Sequence, residues 1–64
     1  MEKYEIRGIY PNEELFHAFV GVEDQRDAVA IAQGLRKVTT LRLVAVYAYE
    51  DDRCVYYDKL RTNW

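Results

Sequence analysis

The stretch Leu41 to Tyr49 reads LRLVAVYAY, and eight of its nine residues are apolar or aromatic, with Arg42 the one interruption. A strand with one wet face alternates apolar and polar side chains. A run apolar at both parities calls for cover on both faces. A chain of 64 residues has one cover to offer, the helical segment near residues 24–38. The second cover is expected from outside, as another copy of the chain or a partner.

Chain length sharpens that expectation. So short a chain hides only about 60% of its unfolded surface on folding, so its core is marginal. Small scaffolds are usually reinforced by disulfides, metals or oligomerisation. Cys54 is the only cysteine and His17 the only histidine, which excludes an internal disulfide and a Cys/His zinc site within one chain. Oligomerisation is the remedy left.

Elements follow from periodicity. Residues 3–10, KYEIRGIY, set Tyr4, Ile6, Gly8 and Tyr10 against Glu5, Arg7 and Ile9, a strand pattern. Pro11-Asn12 supplies turn chemistry. Residues 13–22 fit two patterns. Leu15, Phe16, Phe19 and Val20 have helical spacing, while Phe16, Ala18, Val20 and Val22 share one strand face. A strand is preferred, because Pro-Asn between apolar runs suits a hairpin and Gly21 is costly in a short helix.

Residues 23–37 read as the helix. Asp24 is its N-cap, with Asp27 three residues on. Ala28, Ile31, Ala32, Leu35 and Val38 recur at helical spacing, and Arg36 and Lys37 sit in the last turn, where the helix dipole favours cations. Gly34, costing about 1 kcal/mol against Ala inside a helix, suggests close approach of the sheet or a partner helix. Residues 41–49 form the long strand, Glu50-Asp51-Asp52 the turn and 53–58 the returning strand. The tail 60–64 is expected to be less ordered.

The expected fold is one α+β domain over residues 1–64, ββαββ, with one helix packed on a four-stranded antiparallel sheet. A right-handed crossover gives the strand order 2-1-3-4. In this reading the uncovered sheet face carries Val44, Val46 and Tyr56, with Ile9 beside them, and is an oligomer interface.

Charge and composition bound the function. Nine basic and eleven acidic residues leave a formal charge of −2. That argues against nucleic-acid binding, which needs a net basic face, and is too mild for a polyanion mimic. The N-terminus MEKYEIRG carries charges where a secretory leader would be apolar, and the run at 41–49 is about half a membrane span. A soluble, cytoplasmic chain is expected.

Catalytic constellations are thin. The chain contains no serine, so a Ser-His-Asp triad is excluded. His17 near Glu13 or Glu14 is a candidate acid–base pair with nothing to complete it, and Cys54 as a nucleophile would need His17 close by. Glu50, Asp51 and Asp52 do not have the ligand spacing of an EF-hand loop. No enzyme, metal or cofactor is expected.

What remains is tyrosine and arginine. Six tyrosines, Trp64 and six arginines are the residue types enriched in interface hot spots, and they also stack and clamp nucleobases and phosphates. Those at strand ends, near turns or in the tail, where a scaffold presents function, are Arg7, Tyr10, Tyr49, Arg53, Arg61 and Trp64. The leading expectation is a non-catalytic binding protein: a homo-oligomeric inhibitor or adaptor that occupies a partner protein's surface. Compact proteins made by phages against host systems offer the analogy. The alternative is an oligomer that binds or sequesters a small anionic ligand, such as a nucleotide, in a Tyr/Arg-lined pocket between subunits.

Overall fold

The computed structural model describes residues 2–59, so the tail lies outside the described residues. Five elements follow in order: β1 (Glu2–Ile9), β2 (Leu15–Val22), α1 (Gln25–Val38), β3 (Leu43–Ala48) and β4 (Cys54–Lys59). They form one four-stranded antiparallel sheet in the order β2-β1-β3-β4, with α1 against one face. Residues 15–22 are a strand, as the hairpin argument expects. The β1–β2 turn closes with Tyr10 N–H donating to the Glu14 carbonyl at 2.9 Å and Glu13 N–H donating to the Tyr10 carbonyl at 2.8 Å.

The helix is fixed at both ends. The Asp24 carboxylate accepts from the Arg26 and Asp27 amides at 2.8 and 3.3 Å, satisfying donors that a first turn otherwise orphans. At the other end Thr39 donates to the Leu35 carbonyl from its amide at 2.8 Å and its hydroxyl at 2.6 Å. Arg36 also pairs with Asp58, tying the last helical turn to β4. Ala28 and Ala32 are buried and Leu35 is half-buried, so small side chains let the helix lie close to the sheet. Ile31 and Val38, expected in the same stripe, flank it, and Val38 is 79% exposed. Gly34 has nothing within 4 Å of where a Cβ would stand, so among the described residues the sheet does not approach it closely.

The register fixes which residues face the helix. Ile6 pairs with Ala18 and Val46, and Gly8 with Phe16 and Val44. The even-numbered residues of β1, β2 and β3 therefore share a face, and Tyr4, Ile6, Val44 and Val46 are buried in the core with Ala28, Ala32 and Leu41. This corrects the expected phase of β3: Val44 and Val46 lie on the helix side. Tyr56, paired with Val46, packs half-buried on that same side. The cause is the run itself, whose two apolar parities leave no alternation to set its phase.

Leu41 precedes β3 and is 2% exposed. It fills the space over Gly8, where a Cβ would stand 3.0 Å from the Leu43 carbonyl oxygen and 3.2 Å from both Leu41 methyls. A bulge interrupts the last ladder: Val46 faces Tyr56 but Tyr47 faces Cys54, leaving Val55 as the inserted residue. Cys54 consequently joins the open face opposite Tyr47, while Tyr57 lies on that face opposite Ala45 in the regular part of the ladder.

Candidate functional site

The face away from the helix carries the odd-numbered residues of β1, β2 and β3. Three of its cross-sheet rows run over all four strands. Phe19, Glu5, Tyr47 and Cys54 stand in register, then His17, Arg7, Ala45 and Tyr57, then Leu15, Ile9, Leu43 and Lys59. Apolar and aromatic side chains thus surround a polar centre. Leu15 is 80% exposed, Phe19 53% and Tyr57 58%, and no element covers them among the described residues.

The polar centre is an ion-pair network. Arg7 Nη2 lies 2.7 Å from Glu5 Oε1 and 3.0 Å from Asp52 Oδ1, and His17 Nε2 meets the other Glu5 oxygen. The Arg7 guanidinium also lies 4.1 Å from the centre of the Tyr47 ring. The hydrogen bond from Arg7 is the chief cause holding the Glu5 carboxyl below its ordinary range; shelter from water opposes it, and His17 adds to it. Glu5 in turn raises the Arg7 pKa. Asp52 adopts a left-handed backbone, φ 55°, which Asp tolerates in turns and which brings its carboxylate to Arg7.

An aromatic cluster continues from the network. Phe19 packs edge-on against His17 at 4.8 Å and against Tyr49 at 5.6 Å, and Lys3 Nζ sits 4.6 Å from the Tyr49 ring centre. Toward the opposite end, Ile9, Leu15, Leu43, Ala45 and Tyr57 line a shallow trough of about 380 Å³ with Arg7, His17 and Tyr47.

Of the residues singled out from sequence, Arg7 and Tyr49 meet this face. Arg53 is exposed beyond it, sharing with Tyr49 a cleft of about 330 Å³ at the sheet end lined also by Glu2, Lys3, Glu50 and Asp51. Its backbone amide, at 3.2 Å from Asp51 Oδ1, makes the turn contact, while Asp52 pairs with Arg7 instead. Tyr10 packs on the core side, edge-on to Phe16 at 6.3 Å. Arg61 and Trp64 lie outside the described residues. Sequence reasoning missed Glu5, His17, Phe19, Tyr47, Leu15 and Tyr57 as a group. The alternation of β1 separates Glu5 and Arg7 from the core residues, but only the register brings His17 and Tyr47 beside them.

His17 and Cys54 stand on opposite edge strands of the sheet, so they form no nucleophile–base pair. The Cys54 thiol is exposed and lies 3.5 Å from the Tyr56 carbonyl oxygen. Among the described residues, no three of His, Cys, Asp and Glu converge as a metal site. No helix among them is long and apolar enough to cross a membrane. Comparison with known proteins finds no family model, no curated protein and no solved structure that matches this chain.

Proposed function

We propose that this is a small, non-catalytic binding protein, a homo-oligomeric inhibitor or adaptor, that acts by laying its open sheet face on a partner protein. The observation that carries the reading is the composition of that face: exposed Leu15, Phe19 and Tyr57 around a fixed Glu5–Arg7–Asp52 network. Contiguous exposed apolar surface with a polar element marks interaction sites in soluble proteins. Tyrosine and arginine supply contact area and directed hydrogen bonds there. The ion pairs hold Arg7 and Glu5 in place before a partner arrives, which lowers the ordering cost of binding.

A small anionic ligand suits this surface less well. Arg7 is already shared between two carboxylates, and the cleft beside Tyr49 sets Glu2, Glu50 and Asp51 against Lys3 and Arg53. A thermal-shift screen against nucleoside mono-, di- and triphosphates separates the readings, because a ligand that binds only the folded state raises its melting temperature. The protein-partner reading expects no nucleotide-dependent shift and a stoichiometric complex with one protein captured from the native host's lysate. A nucleotide that stabilises the chain, with no such complex, replaces this reading with the ligand-binding one.

A further inference from the structure

The two edges of the sheet are unlike. β4, Cys54–Lys59, carries Asp58 and Lys59, and the bulge at Val55 disrupts its ladder with β3. Charges and bulges are the usual protections of an edge strand. β2, Leu15–Val22, reads LFHAFVGV: eight residues without Asp, Glu, Lys, Arg or Pro. It has none of those protections along its length.

Its free backbone groups can be assigned. Tyr10 N–H bonds to the Glu14 carbonyl, and hydrogen-bonded pairs alternate along an antiparallel ladder. With Ile9 opposite Leu15, the even residues of β2 therefore bond to β1. Tyr49 N–H donating to the Lys3 carbonyl at 3.1 Å agrees, since it turns the odd residues of β1 toward β3. Leu15, His17, Phe19 and Gly21 thus aim their N–H and C=O groups outward from the sheet.

We infer that β2 pairs with β2 of a second copy, antiparallel about a two-fold axis at Ala18, joining two sheets into one of eight strands. This register uses all four outward residues: Leu15 opposite the partner's Gly21 and Phe19 opposite the partner's His17. Other two-fold registers leave at least one of them unpaired. Large meets small at the first pair, and the second repeats the edge-on His17–Phe19 contact within the chain. The axis brings together two alanines, whose small side chains fit the close approach of a non-hydrogen-bonded pair. Within Leu15–Val22 no like charges oppose each other, because the strand carries no acidic, lysine or arginine side chain; Glu13 and the partner's Glu23 fall opposite only beyond the strand ends. Both helices fall on one side, and the two open faces become a single continuous surface. The inference rests on the homo-oligomer of the proposed function and names its contact.

The test is sedimentation equilibrium with residue-resolved amide exchange on the full chain. The wild type should be a dimer at micromolar concentration, with Leu15, His17, Phe19 and Gly21 amides protected and losing protection on dilution. His17→Pro removes an outward N–H while sparing the β1 ladder, as edge proline can. It should raise the dimer dissociation constant about tenfold or more, two hydrogen bonds being lost per dimer. Phe19→Lys should do the same, and Tyr57→Lys, across the open face, should leave the dimer intact. Should His17→Pro fail to fold, Phe19→Lys and the wild-type amides still decide. A monomeric wild type overturns both this contact and the homo-oligomer. A dimer that survives the edge variants, or leaves those four amides unprotected, overturns the contact alone.

Discussion

Arg7 Nη2 stands 2.7 Å from Glu5 Oε1, two residues along β1 on the same open face. With Asp52 and His17 on either side, this pair converts the middle of a sheet face into a fixed charge pattern. It has a pH signature. The Glu5 carboxyl titrates below its ordinary 4.5 in the folded chain, because its ionised form accepts from Arg7. A carboxyl with a lowered native pKa stabilises the fold above its unfolded value, and that contribution fades as pH falls through the native value. Melting temperature should therefore drop from about pH 4.5 downward. Glu5→Gln should lower it at neutral pH and flatten that acid limb; an acid limb unchanged in the variant would remove Glu5 as its source.

Val46→Glu tests the phase of β3. Val46 is fully buried beneath the helix, next to Ile6. A carboxylate there has no partner, and its burial costs more than a small domain's stability of about 5 kcal/mol. The expected outcome is loss of the folded circular-dichroism spectrum at every protein concentration. A folded monomer would instead place Val46 on an outer surface.

The two glycines in contrasting surroundings should respond oppositely. Gly34→Ala meets open space on the helix and should stabilise by about 1 kcal/mol, raising the melting temperature by roughly 4–8 °C. Gly8→Ala would crowd the Leu43 carbonyl and Leu41, and should destabilise by about 1–3 kcal/mol. Thermal melts of both variants check the pair together, and equal shifts would contradict the packing of Leu41 over β1.

Asp24→Ala should cost about 1 kcal/mol by orphaning the Arg26 and Asp27 amides, read as a drop in urea midpoint without change in slope. This cap was legible in the sequence because capping is local: Asp24, the apolar repeat and the basic last turn lie within one segment. The strand order was legible for a similar reason, since four strands and one crossover leave few right-handed arrangements. The phase of β3 was not, because both its parities are apolar and the register that settles it lies between strands. The open face stayed hidden for that same reason. Glu5 and Arg7 declare themselves polar within β1, but His17, Tyr47 and Asp52 join them only across the sheet and from the β3–β4 turn. Tyr10 was misplaced because its position at a turn suggests exposure, while its ring folds against Phe16.

The central claim is that the open face, and not the helix, meets the partner. The measurement that tests it most directly is the dissociation constant of the lysate-captured partner for three chains matched in melting temperature. These are the wild type, Tyr57→Lys on the open face, and Ala30→Lys on the exposed side of the helix. The account predicts that Tyr57→Lys weakens binding about tenfold or more, as loss of an interface aromatic does, and that Ala30→Lys leaves it unchanged. Binding that tolerates Tyr57→Lys and fails with Ala30→Lys would contradict it and move the functional surface to the helix.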